Sequence, residues 1–351
     1  MRCQCVKEYG KPLFTDMWQT PQPQGEEVLV KITASGLCHS DVHIADGGFD
    51  MGDGQTLKLP QAALPRVPGH EIVGTVAQTG PDCPPLDRSK TYIVFPWIGC
   101  GTCDTCADEG ENHCTKAPRA LGVDLPGGYS EYVLVPHSRY LIDIGDLDPA
   151  LAAPLACSGL TTYSALEQIG AAIYQKHPVV VMGAGGLGLM SLQILAALGG
   201  KGAVAVDIDA GKRQAALAAG ALAAIDPKAP DALAQIAQAT GGGARAVLDL
   251  VGAESTVGLT MQILRKPGRA IIVGLFGGSV KMPTFMLPSK AMSLIGSYVG
   301  DLAQLQKLVA LARAGKVKPM PVTRIGFDDI PGALEALRQG KVIGRQVAVL
   351  H

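Results

Sequence analysis

The chain has 351 residues, enough for two domains with separate cores, and its 47% apolar and 17% charged residues are the proportions of a globular protein. A formal net charge of −1 without a basic run argues against nucleic acid as a partner, and the opening MRCQCVKEYGK lacks the apolar core of a secretion signal. A reducing, cytoplasmic compartment is therefore expected, and structural disulfides among the nine cysteines are not.

The first 150 residues read as short strands and turns. EEVLVKITASGLC carries a β run up to Cys38; EIVGTVAQTG, after His70, is another that closes on a turn signal; YSEYVLVPHSRYLID is rich in Tyr and Val. Twenty-six residues separate His43 from His70, and most of them, DGGFDMGDGQTLKLPQAALPRVP, open rich in Gly and close rich in Pro, which predicts a loop. Phe49, Met51 and Leu57 in that stretch either overhang a pocket or belong to a solvated surface insertion.

GCGTCDTCADEGENHC follows, with Cys100, Cys103, Cys106 and Cys114 spaced C-x2-C-x2-C-x7-C. A bacterial iron–sulfur run has a last gap of three residues followed by proline. Here the gap is seven and Thr115 follows, so four thiolates on a loop of Gly, Asp and Thr suit a closed tetrahedral zinc site. Such a shell leaves no position for a substrate, so the loop reads as a staple. Three further ligand candidates lie outside it: Cys38 in GLCHSDVH, His70 in PGHE and Cys157 in LACSGLTTY. Singly, each also reads as a small buried thiol or a satisfied structural histidine. Together they offer two sulfurs and an imidazole, the open three-ligand set of a catalytic zinc.

No fixed charge occurs between Lys176 and Lys201, but the glycine-dense centre and strand-like start of that segment argue against a membrane helix. From Pro178 strands and helices alternate: PVVVMGAGG, the helix LGLMSLQILAALGG, the strand GAVAVDID, the helix AGKRQAALAAGA, the strand ARAVLDLVG, the helix STVGLTMQILRK and the strand GRAIIVGLFGG. This predicts a doubly wound parallel sheet, an α/β fold. Gly183, Gly185, Gly186, Leu187 and Gly188 spell the dinucleotide fingerprint in its required strand–turn–helix setting, with the helix N-terminus facing a pyrophosphate. Nineteen residues beyond Gly188 stands Asp207, placed to bond a ribose 2′-hydroxyl and to repel a 2′-phosphate, which favours NAD over NADP. A helix, DLAQLQKLVALARAGKV, and a closing strand, RQVAVL, complete the chain.

GLCHSDVH, PGHEIVG, the four-cysteine loop, LACSGLTTY and GAGGLG occur in the order found in the zinc-dependent medium-chain alcohol dehydrogenases, and the resemblance runs the whole length. It implies a Rossmann domain plus a GroES-like β-rich catalytic domain, divided as 1–158, 159–295 and a return segment 296–351. It implies two zinc ions per chain: a catalytic ion on Cys38, His70 and Cys157, and a structural ion on Cys100, Cys103, Cys106 and Cys114. Glu71 matches the acidic residue behind the catalytic metal, Asp41 a carboxylate that orients the histidine ligand, and Ser40 and His43 the proton relay. Thr161, Lys212 and Arg345 match dinucleotide contacts. Plainer readings stay open: Ser40 as a turn cap, and His43, Lys212 and Arg345 as solvated surface residues. Trp97 reads either as a pocket wall or as a core tryptophan.

The implied reaction is reversible hydride transfer between NAD and a primary or secondary alcohol, in a homo-oligomer (dimer or tetramer) with no membrane partner. Polyol dehydrogenases of the same superfamily usually carry an acidic residue as third ligand, so Cys157 points to the alcohol branch, and the zinc-free quinone or enoyl reductases lack both cysteine sets. A non-catalytic nucleotide- and zinc-binding protein would lack the open metal position and the relay.

Overall fold

The computed structural model describes residues 1–350. Two sheets dominate it. The first has seven strands, in the order Val322–Ile325, Arg345–Val349, Val28–Gly36, Glu71–Thr79, Thr91–Val94 and Leu141–Asp143, with Tyr132–Val135 also paired to Val28–Gly36. All its pairings are antiparallel except the one between Val322–Ile325 and Arg345–Val349. The central strand VLVKITASG opens on three buried apolar residues and then alternates, with Lys31 exposed and Thr33 half-buried between the buried Val30, Ile32 and Ala34. Register shifts at Leu29/Val30 and Ile32/Ala34 sharpen its twist against Glu71–Thr79.

The second sheet is wholly parallel, in the order Ala223–Ile225, Ala203–Val206, Val179–Met182, Ala244–Asp249, Leu264–Ile272 and Met292–Gly296. Strand order reverses between Val179–Met182 and Ala244–Asp249, which opens the crevice where such sheets take ligands. Helices Gly186–Ala197 and Ala210–Ala218 follow their strands directly. The segment between Lys176 and Lys201 is a strand and a 12-residue helix, and among the described residues no helix is long and apolar enough to cross a membrane. One apolar core runs through both sheets: Val30 and Ile72 of the first share it with Val181 and Leu248 of the second, joined by Leu189 of helix Gly186–Ala197 and by helix Ser158–Ile169.

Two expectations are corrected, and three elements are added to those expected. The helix over STVGLTMQILRK ends at Ile263, and Leu264 already begins the strand Leu264–Ile272; Pro267 disfavours helical backbone at Lys266, and Leu264 pairs with Ala244 of the neighbouring strand. The loop expected after His43 contains a β-hairpin, Gly48–Gly52 paired with Gln55–Lys58. Asp53 and Gly54 turn it with positive φ, which a Gly/Asp-rich tip accommodates. Strand Ala223–Ile225, helix Ala232–Thr240 and strand Met292–Gly296 were not foreseen.

Candidate active site

Cys38 stands where strand Val28–Gly36 gives way to helix His39–Asp46, as the N-cap of that helix. Its N–H donates to Asp41 Oδ2 at 2.9 Å, so the first helical turn closes on a buried carboxylate. Asp41 also accepts from Gly69 N–H at 3.1 Å and from the Tyr129 hydroxyl at 2.7 Å, and its Oδ1 faces His70 Nδ1 at 3.3 Å. That ionic contact aims Nδ1 at the carboxylate; neither buried ring nitrogen has a hydrogen-bond partner, and Nε2 is left facing away from Asp41. Cys157 arrives from the junction between the short turn Ala153–Ala156 and helix Ser158–Ile169.

Cys38 Sγ and Cys157 Sγ are 3.9 Å apart, and the donor atoms of Cys38, His70 and Cys157 all lie within 4.8 Å of one another. A disulfide would need about 2 Å. Metal–sulfur bonds of about 2.3 Å in a tetrahedron put two sulfurs about 3.8 Å apart, so the donor set and the orphaned imidazole nitrogen fit zinc. The electrostatics agree. Cys38 is held well below the usual thiol range, first by its hydrogen bond with Cys157 and then by Arg345 and His70, while Cys157 is pushed up by the same bond and by burial. Burial opposes charge on His70, but Asp41 and the Cys38 thiolate outweigh it and raise its pKa well above the ordinary value.

Glu71, beside His70, is not one of these donors. Its carboxylate accepts from Ser158 N–H at 3.1 Å and from Nε and Nη2 of Arg345. Burial raises the Glu71 pKa even with that partner. Arg345, buried as well, sits between this carboxylate and the glycine loop, where a Cβ on Gly186 would lie 3.1 Å from its Nη1. Ser40 Oγ is 3.7 Å from Cys38 Sγ, and His43 lies one helical turn further along the same face. The His43 ring packs on Phe49 of the hairpin at 5.1 Å, and burial lowers its pKa below 6.5. Met51 and Leu57 are exposed.

The crevice side is built by the glycine loop. Gly183 has a φ of +88°, and a Cβ on Gly188 would collide with its carbonyl oxygen, so the strand and helix Gly186–Ala197 meet more closely than any other residue permits. Gly185 faces open space. Asp207, at the end of strand Ala203–Val206, accepts Ala184 N–H at 2.7 Å and Asp209 N–H at 2.8 Å, tying the loop to the next strand. Lys212 lies in the first turn of helix Ala210–Ala218, Leu187 is half-buried, and Thr161 is buried with its hydroxyl unpartnered.

The four-cysteine loop forms a separate lobe. Its sulfurs stand 3.4 Å (Cys103–Cys106), 3.9 Å (Cys100–Cys106) and 4.0 Å (Cys103–Cys114) apart, again the spacing of a tetrahedral zinc shell. Cys103 caps the short helix Asp104–Asp108 by accepting Cys106 N–H. Cys100 and Ala117 N–H groups aim at Cys114 Sγ, at 3.4 and 3.5 Å. Hydrogen bonds from Thr102 bring Cys100 down to about 6, whereas burial and Cys103 push Cys106 up to about 12. Glu111 anchors the lobe to its base, accepting from Gly99 N–H at 3.1 Å, Tyr140 Oη at 2.7 Å and Arg139 at 2.8 Å.

Several residues at the site carried no local signal. Tyr129 reaches Asp41 across 88 positions of sequence. His39, between two singled-out residues, stacks on Phe276 of the other sheet's loop at 4.9 Å. The hairpin also reaches that loop: a Cβ on Gly277 would lie 2.7 Å from Asp50 Cβ, and one on Gly52 would lie 2.8 Å from Gly278 O. Trp97 is buried, donates Nε1–H to Ala156 O at 3.2 Å, and lies 5.2 Å from the His70 ring.

Comparison with known proteins agrees with this geometry. Residues 24–146 match the family described as alcohol dehydrogenase GroES-like domain, and residues 186–314 match that described as zinc-binding dehydrogenase. An NAD-dependent alcohol dehydrogenase of Sulfurisphaera tokodaii is 38% identical over 99% of this chain and 100% of its own. Among solved structures, the alcohol dehydrogenase of Aeropyrum pernix superposes with a TM-score of 0.88 at 30% identity over the whole of both chains. The D-arabinose dehydrogenase of Sulfolobus solfataricus superposes at 0.83 and 30% identity over 99% of each.

Proposed function

The chain belongs to the zinc-dependent medium-chain alcohol dehydrogenases, and from that premise we propose that it oxidises a primary or secondary alcohol reversibly to its aldehyde or ketone with NAD. The observation that carries the reading is the buried Cys38–His70–Cys157 set with His70 Nε2 unpartnered and Ser40 beside it.

Cys38, His70 and Cys157 would hold a catalytic zinc, which supplies Lewis acidity toward the substrate oxygen; Cys100, Cys103, Cys106 and Cys114 would hold a second, structural ion. The Gly183–Gly188 loop, Asp207, Thr161, Lys212 and Arg345 would hold NAD, which would supply the hydride acceptor. The chain's own residues do the rest. The Ser40 hydroxyl takes the alcohol proton and passes it toward His43. His43 can receive it at neutral pH because burial holds its pKa below 6.5, so the ring is uncharged. Asp41 keeps His70 in one orientation. The Arg345 pair neutralises Glu71, which would otherwise place an uncompensated charge behind the donor set. Trp97 supplies an apolar wall.

A cytoplasmic homo-oligomer, dimer or tetramer, completes the proposal. Asp207 supports NAD over NADP, because a carboxylate there repels a 2′-phosphate. A sugar substrate is the second reading, favoured by the likeness to D-arabinose dehydrogenase.

The test is NADH formation across a panel of alcohols and aldoses, with zinc per chain measured on the same sample. We expect alcohol turnover, and Cys38→Ser should remove most of it while NAD binding persists. Near-wild-type rates in a metal-quantified Cys38→Ser protein would refute the site, and turnover of aldoses alone would install the second reading.

A further inference from the structure

The pocket wall continues beyond Trp97. Tyr298, half exposed, follows strand Met292–Gly296, and its ring meets Trp97 edge-on with centroids 6.0 Å apart. Trp97 in turn lies against His70, so Tyr298 is the next aromatic surface outward from the metal ligands.

The backbone carrying Tyr298 is under strain and held from outside. Val299, buried, has a φ of +43°, a left-handed conformation that a β-branched residue adopts only when its surroundings impose it. On one side of it, Asp301 caps helix Leu302–Arg313 through Gln304. On the other, Asn112 Nδ2 donates to Tyr298 O at 3.2 Å, across 186 positions of sequence. Asn112 belongs to the four-cysteine lobe, between Glu111 and the ligand Cys114. This is the one hydrogen bond of its side chain among the described residues; its Oδ1 is buried and unpartnered. The neighbouring His113 ring also faces Tyr298, at 6.5 Å.

We propose that Tyr298 is a specificity-determining wall of the alcohol pocket and that Asn112, carried by the four-cysteine lobe, is the residue that positions it. The lobe then sets the width of a pocket that its sulfurs never touch. This rests on the alcohol dehydrogenase reading.

The experiment uses the full-length, zinc-loaded protein with Asn112→Ala, Tyr298→Ala and the double variant. For each, kcat/KM is measured for propan-2-ol and for 1-phenylethanol, together with zinc per chain and acrylamide quenching of tryptophan fluorescence. Each single variant should shift the selectivity ratio toward the bulky alcohol by about tenfold, mainly through KM. The double variant should shift it no further than Tyr298→Ala alone, as residues acting through one contact are non-additive. Quenching should rise in both singles as Trp97 loses its neighbour, a readout that needs no turnover. Asn112→Ala should retain its zinc. Should an alanine variant fail to fold, Asn112→Ser and Tyr298→Leu carry the same comparison.

A ratio within about twofold of wild type in Tyr298→Ala, with quenching unchanged, would overturn the wall. A shift in Tyr298→Ala with none in Asn112→Ala would overturn the positioning role. A wild type that reduces NAD with no alcohol would instead overturn the functional reading, and the quenching arm would still decide the contact.

Discussion

At the scale of single residues, Asp207 is the most exposed to test. Its carboxylate ties the glycine loop to the next strand through Ala184 and Asp209, and the lone pairs left over can take a ribose hydroxyl. Asp207→Ala should raise the preference for NADP relative to NAD, with an NAD penalty of roughly 1.5–3 kcal/mol from a lost charge-assisted bond. Steady-state kcat/KM for both coenzymes measures this, and unchanged values for both would remove Asp207 from the ribose. The position of Asp207 at the end of the second parallel strand was legible because one strand–turn–helix–strand unit fixes its distance from the glycines. Tyr129, which completes the shell of Asp41, was not, since nothing near it in sequence points 88 positions away. Nor did the sequence suggest that Arg345 would be buried against Glu71 as well as near the glycine loop.

Among elements, the four-cysteine lobe has the least apolar material to keep its shape. Between Cys100 and Cys114 no residue is fully buried, so coupling of metal binding to folding should dominate its stability. Cys103→Ser should lose one zinc per chain and lower the melting temperature, while turnover per zinc-bearing active site falls much less than in Cys38→Ser. Elemental analysis, thermal unfolding and rates normalised to active sites measure the three quantities. Retention of two zincs and full stability would refute the structural site. The lobe could be read from sequence because its four cysteines are close in the chain and their spacing brings the sulfurs together. The hairpin after His43 could not, because Gly, Asp and Pro are also the vocabulary of loops, and strand pairing decided between them. The helix that ends at Ile263 was overextended for a similar reason: LRK continues a helical pattern, and pairing with the strand from Ala244 overrode it.

For the whole molecule, the seven-stranded sheet joins opposite ends of the sequence. Strand Arg345–Val349 pairs with Val28–Gly36, and Arg345 meets Glu71 274 positions away. Replacing Arg345 by Met would leave the Glu71 carboxylate buried without its partner, which costs about 3–5 kcal/mol. The melting temperature of Arg345→Met should therefore fall sharply, and Glu71→Gln in the same chain should restore much of it. If the double variant were no more stable than the single one, the charge pair would not be the cause. The same join has a consequence for how the protein is made. A ribosome delivers the chain in order, and domains tend to fold as they emerge. The parallel sheet, Val179 to Gly296, is complete before Arg345 is synthesised. The other sheet, although its central strands emerge first, must wait with an open edge at Ala34–Gly36 and an unneutralised Glu71. The half bearing Cys38 and His70 is thus begun first and closed last, so a nascent chain stalled before Arg345 should hold a folded parallel-sheet half beside an unfinished one that chaperones and proteases can still reach.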